Sequence, residues 1–131
     1  MRYLVDTHVF LWWMTDPDRL SPAVLSLMQR DAGEIGFSSV SGWEIAIKSA
    51  LGKVTGIPID DIEGEIETLG WSELRFSLRH AAAVAALPFH HHDPFDRALI
   101  AQTIAENLTF VTSDRIEVVP KPNRARHLLT H

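Results

Sequence analysis

The stretch Tyr3-Leu4-Val5-Asp6-Thr7-His8-Val9-Phe10-Leu11-Trp12-Trp13-Met14 decides how the rest of the chain is read. Tyr3, Leu4 and Val5 form a short apolar run of strand-forming residues, and Asp6-Thr7 interrupts it ahead of a second apolar run over 9–14. The pattern predicts a buried strand, a turn and a helix. Working outward, Ser21-Pro22 supplies an N-cap and a first-turn proline for a helix that should stop near Gly33. Residues 35–37 read as a second strand. Ser41-Gly42-Trp43-Glu44 has capping-box spacing at the start of a helix that reaches about Leu51 and is closed by Gly52.

Asp60 or Asp61 opens an amphipathic segment with Ile62, Ile66 and Leu69 at helical spacing, ended by Gly70. Residues 73–76 alternate as a half-buried strand does, Ser77 caps an Ala-rich helix, and Pro88 terminates it. Asp93-Pro94 then places a cap and a first-turn proline before a helix running to Glu106, and 109–112 is the last strand. Strands alternate with crossovers long enough for parallel pairing, so the expected fold class is α/β: a three-layer α/β/α sandwich with a mainly parallel sheet. A chain of 131 residues with 46% hydrophobic content fits one globular domain over residues 1–131.

No apolar run approaches the ~20 residues needed to cross a bilayer, and no signal peptide is seen, so a cytoplasmic protein without membrane attachment is expected. The absence of cysteine excludes disulfides and thiolate zinc sites. A formal net charge of −5 argues at first against a nucleic-acid partner. If four of the carboxylates hold divalent cations, the remainder of the chain is close to neutral, and the acidity is itself the site.

Four acids suit that role: Asp6 after the first strand, Glu44 and Asp96 in the first turns of their helices, and Asp114 after the last strand. All four fall at one predicted sheet edge, where open α/β sheets bind ligands. Each also has a local explanation: Asp6 caps a helix, Glu44 completes a capping box, Asp96 favours the helix dipole, and Asp114 makes an Asx turn. Carboxylates grouped a few ångströms apart repel one another and are sustained chiefly by a cation. Oxygen-only donors favour Mg²⁺ or Mn²⁺ over Zn²⁺, and phosphodiester hydrolysis is the reaction such a site suits.

The segments Leu4-Val5-Asp6-Thr7-His8, Trp43-Glu44-Ile45-Ala46-Ile47-Lys48, Asp93-Pro94-Phe95-Asp96-Arg97 with Leu99-Ile100-Ala101-Gln102, and Val111-Thr112-Ser113-Asp114 resemble the PIN-domain family, specifically VapC-type toxins of bacterial toxin–antitoxin pairs. The resemblance covers residues 3–114, and the order and spacing of the four segments carry it. It implies a ribonuclease that cleaves RNA with Mg²⁺ or Mn²⁺, is inhibited by a cognate antitoxin and is a homodimer. By motif, Asp6, Glu44 and Asp96 are the core metal ligands and catalytic acids, and Asp114 is the fourth. Asp6 and Asp96 would hold a metal beneath the scissile phosphate, Glu44 would complete its shell or orient the attacking water, and Asp114 would support a second ion. Arg115-Ile116-Glu117 departs from the more acidic turn that the family pattern leads one to expect after Asp114.

Other features read as structural. His90-His91-His92 is a solvated loop, because adjacent residues do not all face one ion. His8 is read as packing against or capping the first helix, with an approach to substrate as the alternative. Trp12, Trp13 and Trp43 lie in apolar helix patterns and are assigned to the core or a dimer face rather than to base stacking. Arg97 contacts phosphate or a carboxylate, and Lys48 pairs with Glu44 at i,i+4 or faces RNA. Thr112 and Ser113 bond a carboxylate or phosphate, or form an ST-turn. Lys121, Arg124, Arg126 and His127 are a solvated tail or an RNA or partner contact. Two alternatives to a ribonuclease toxin share most of this reading: a non-toxin phosphodiesterase or DNA nuclease, and a catalytically silent RNA-binding module.

Overall fold

Alternating side chains along the first strand divide the molecule into its layers. The computed structural model describes residues 1–88 and 93–121. In chain order the elements are β1 (Tyr3–Val5), α1 (Thr7–Thr15), α2 (Pro22–Arg30), β2 (Ile35–Ser38), α3 (Ser39–Ala50), α4 (Ile59–Leu69), β3 (Ser72–Leu74), α5 (Leu78–Ala85), α6 (Pro94–Ala105), β4 (Thr109–Val111) and β5 (Ile116–Glu117), with short 3-10 turns at Pro17–Arg19 and Ala32–Glu34. The sheet order is β3-β2-β1-β4-β5, parallel except for β5, which runs antiparallel to β4. Tyr3 and Val5 point into one core with Phe10, Leu27 and Ile66 from α1, α2 and α4, whereas Leu4 points into a second core with Ala98, Leu99 and Phe110. Both faces of the sheet are covered, which is why β1 is apolar throughout. The fold is the expected three-layer α/β/α sandwich.

Local chemistry sets most element ends. Asp6, Ser21, Ser77 and Asp93 each accept backbone N–H groups as N-caps of α1, α2, α5 and α6, and Pro22 and Pro94 occupy first-turn positions. Gly70 closes α4 at φ 78°, where the Trp71 N–H reaches back to the Ile66 carbonyl. That turn delivers Trp71 to the core beside Phe10, their rings meeting edge to face at 5.9 Å.

Several boundaries differ from expectation. α3 starts at Ser39 with Ser38 as its cap, three residues before the expected Ser41, so Glu44 lies in the second turn rather than the first. The reason is tertiary: the Ser38 hydroxyl both accepts the Val40 N–H and donates to Gln102 of α6. α2 ends at Arg30, short of Gly33, because the chain turns through Ala32–Glu34 to enter β2. Neither Asp60 nor Asp61 caps α4, which begins after Pro58 without a side-chain cap. β3 covers 72–74 rather than 73–76. β5 was not anticipated, being a two-residue strand folded back by the Thr112–Arg115 turn. The His90-His91-His92 tract and Arg124, Arg126 and His127 lie outside the described residues. Among the described residues, no helix is long and apolar enough to cross a membrane.

Candidate active site

β1 has β2 on one side and β4 on the other, so the chain crosses over in opposite directions from the middle of the sheet. The carboxyl ends of these strands therefore border a crevice, the usual ligand position in an open parallel sheet. Asp6 is the first residue beyond β1. Its backbone N–H donates to the Val111 carbonyl at the end of β4, and its carboxylate accepts the His8 N–H at 3.3 Å as the cap of α1. Capping and placement at the crevice coexist in one residue. The His8 ring lies 3.9 Å from the Asp6 carboxylate and tilts against Trp12 at 5.5 Å; hydrogen bonding to Asp6 raises its pKa against the opposing effect of burial.

Glu44 is the most constrained acid. Its residue is only 4% exposed, and both carboxylate oxygens are engaged: Thr7 Oγ1 donates to Oε1 at 2.7 Å, and Lys48 Nζ donates to Oε2 at 2.6 Å. The hydroxyls of Thr7 and Ser41 share a further hydrogen bond at 2.8 Å, tying the start of α1 to α3. Of the two roles considered for Lys48, the i,i+4 pair with Glu44 is the one observed. The bond to Glu44 raises the Lys48 pKa most, burial opposes it, and the charges of Glu44, Asp93 and Asp96 reinforce it. Lys48 thus lies in the field of acids from both α3 and the start of α6.

At that start, Asp93 Oδ1 accepts the N–H groups of Phe95 and Asp96 at 2.8 and 3.2 Å, so it is the cap. Asp96, the third residue of α6, is exposed. Arg97 also takes a role that was not expected. Its guanidinium donates to the carbonyls of Val84, Leu87 and Pro88 and fastens α6 to the end of α5. Asp114 is exposed and accepts the Thr112 hydroxyl at 3.1 Å, while Thr112 Oγ1 accepts the Arg115 N–H. Thr112 therefore bonds a carboxylate and forms the turn at once.

The four predicted acids are not equally gathered. Thr7 joins the Asp6 turn to Glu44, and Lys48 senses Asp96, whereas the hydroxyl contact of Asp114 lies within its own turn. Among the described residues, no three His, Cys, Asp or Glu side chains are arranged to hold a metal ion. The donors nevertheless suit a hard divalent cation in kind, being carboxylates accompanied by the hydroxyls of Thr7 and Ser41. A concavity of ≈ 380 Å³ lies elsewhere, between α3, α4 and the β2–β3 edge, lined by Phe37, Ile62, Ile66 and Trp71 and rimmed by Glu63 and Glu67. It carries none of the four acids.

Of the two places expected for Trp43, the core is ruled out: the residue is 59% exposed, and its ring meets Phe95 of α6 edge to face at 5.0 Å.

The family model for the PIN domain matches residues 3–118, and the chain belongs to that family. Over 118 residues, 86% of either chain, it is 30% identical to Ribonuclease VapC22 of Mycobacterium tuberculosis. Its fold is also that of a chain in the crystal structure of VapBC2 from Rickettsia felis bound to a DNA fragment from their promoter. There the TM-score is 0.59 at 18% identity, over 86% of this chain and 87% of the other.

Proposed function

We propose that the protein is a ribonuclease that hydrolyses RNA phosphodiester bonds with Mg²⁺ or Mn²⁺, and that it is the toxin of a toxin–antitoxin pair. The observation that carries this reading is the buried Glu44, locked by Thr7 from the turn that Asp6 opens and by Lys48, which also feels the charge of Asp96. Membership of the PIN family and similarity to Ribonuclease VapC22 support the reaction class. The antitoxin partner is supported by the VapC-type motifs and by the like fold in an assembly named VapBC2. In this proposal the chain acts in the cytoplasm as a homodimer of single-domain protomers.

Asp6 and Asp96 would hold the metal, with Glu44 completing the set or orienting the attacking water, and Asp114 is the candidate support for a second ion. Bound there, a divalent cation polarises the phosphate and lowers the pKa of water. The protein's own contribution is rigidity. Thr7 and Lys48 fix both oxygens of Glu44, and the α1 and α6 starts direct their N-terminal dipoles towards Asp6 and Asp96. In the reaction, the water oxygen bonds to phosphorus as the bond from phosphorus to one ribose oxygen breaks, and that oxygen takes up a proton.

The test is RNA and DNA cleavage by purified protein with Mg²⁺, with Mn²⁺ and with excess chelator. RNA is expected to be cut only when the metal is present, and Asp6→Asn is expected to abolish cutting while preserving the circular-dichroism spectrum. Undiminished cleavage in chelator sinks the metal role, and preference for DNA over RNA sinks the substrate.

A further inference from the structure

We infer that Trp43 is a stacking platform for one unpaired base of the RNA substrate, placed beside the phosphate that is cut; this rests on the ribonuclease reading above. A single exposed aromatic is ordinary and proves nothing. What distinguishes Trp43 is where its ring is fixed. It directly precedes Glu44 on α3, and the ring it touches, Phe95, directly precedes Asp96 on α6. The aromatic pair therefore bridges the two helices that carry these acids, within one residue of each.

The geometry of the pair leaves room for a base. The rings meet at 72° with centroids 5.0 Å apart, an edge-to-face contact that orients Trp43 and engages at most one of its two faces. Phe95 is half-buried and Trp43 is 59% exposed, so the larger ring is presented to solvent by a neighbour that is itself held in place. A platform oriented before binding loses little freedom when a base settles on it.

Charge argues the same way. Each of α3 and α6 carries one cation, Lys48 and Arg97, and both are engaged: Lys48 on Glu44, Arg97 on three backbone carbonyls. Among the described residues, α3 and α6 thus offer no cation that is not already engaged within the protein, and the chain as a whole carries a net charge of −5, so affinity that does not depend on phosphate contacts has value here. Stacking supplies affinity without cations, and it requires a base whose π-face is open, which selects single-stranded loops and ends over duplex.

The experiment uses the full chain with Mn²⁺ and a short single-stranded oligoribonucleotide spanning a cut that the wild-type protein makes in total cellular RNA. Trp43→Ala is expected to raise KM roughly 5- to 100-fold with little change in kcat, the range that corresponds to losing one stacked base. Trp43→Tyr should restore most of the affinity. Trp43→Leu, which keeps apolar packing against Phe95 but removes the flat ring, should behave like Trp43→Ala and serves if the alanine variant does not fold. Replacing the nucleotides around the cut one at a time by abasic residues should reveal one position whose loss weakens the wild type and adds nothing in Trp43→Leu. An unchanged KM in Trp43→Leu, or an abasic penalty equal in both proteins, overturns the inference while leaving the ribonuclease reading intact. So does a Trp43→Leu defect confined to self-association or to binding of a protein partner, measured by light scattering. Failure of the wild-type protein to cut any RNA overturns the ribonuclease reading, and the inference falls with it.

Discussion

Two buried polar networks hold α3, one at its start and one in its second turn, and they end differently. At the start, the Ser38 hydroxyl bonds to Gln102, Gln102 lies 3.3 Å from the His80 ring, and His80 adjoins Glu106, which pairs with Arg79. Every buried side-chain polar atom described has a partner, and this chain closes on an ordinary surface ion pair. In the second turn, Ser41 and Thr7 lead to Glu44 and Lys48, at the edge shared with Asp6 and Asp96. The first network fastens α3 to α5 and α6, and the second aims a charged group. A polar cluster inside a protein is thus read by where it terminates, not by how well it is satisfied.

The sharpest separation comes from Glu44→Gln, which keeps the shape but removes the charge. Cleavage should fall on the order of 10²- to 10⁴-fold, the usual effect of removing a positioned acid or base, with far-ultraviolet circular dichroism unchanged. Wild-type rates in this variant would return Glu44 to a purely structural role. One step further from the chemistry, Thr7→Val withdraws the bond to Glu44 Oε1 and should lower cleavage about 10- to 100-fold, as is typical of groups that orient a metal ligand. If Thr7→Val lowers only the urea midpoint, the two networks are of one kind and the comparison breaks.

Gln102→Leu addresses the other network. It strands the donor of the Ser38 hydroxyl, whereas His80 Nδ1 keeps the Ser77 N–H, and should cost about 1–3 kcal/mol by urea unfolding while leaving the cleavage rate per folded molecule unchanged. A drop in that rate would show that the N-cap of α3 also sets the position of Glu44. The smallest effect concerns Glu106, whose pKa is lowered first by the bond to Arg79, with His80 adding to it against burial. Because the folded pKa lies below the unfolded one, this contribution is complete above the usual carboxylate range and is lost as pH falls through the folded value. Wild type should exceed Glu106→Gln by at most about 1 kcal/mol at pH 7, since Arg79 is largely exposed, and the gap should close as the pH falls below the usual carboxylate range. A gap that persists in acid contradicts the assignment.

Signals carried within a few residues were legible in the sequence, and signals that depend on distant partners were not. Asp6, Ser21, Ser77, Asp93 and Gly70 mark element ends by chemistry confined to one turn, and the structure uses each that way. Ser38 and Ser41 offer the same local chemistry, and the choice between them falls to Gln102, 64 residues away. His80 closes a capping box in which its ring accepts the Ser77 N–H, a task sequence patterns assign to Glu or Gln. The sheet edge for the four acids followed from strand order, but not their spacing. That Lys48 would bond Glu44 was one of two readings, and that Arg97 would bond carbonyls was neither. The core as a place for Trp43 is excluded by its exposure, because helical periodicity records which positions are apolar, not which face of a helix borders a crevice.

The central place of β1 also fixes a sequence of events during synthesis. The first strand made is flanked by β2, available after about forty residues, and by β4, which ends at Val111. Until that late strand leaves the ribosome, one side of β1 has no neighbour, the Asp6 N–H lacks its carbonyl, and the helix bearing Asp96 has no strand to follow it into the sheet. Contacts spanning most of a chain form last and slowly. A nascent copy whose β4 has not yet emerged therefore carries Asp6, Glu44 and Asp96 yet no assembled edge, so the ribosome translating it is not exposed to its chemistry before that strand pairs with β1.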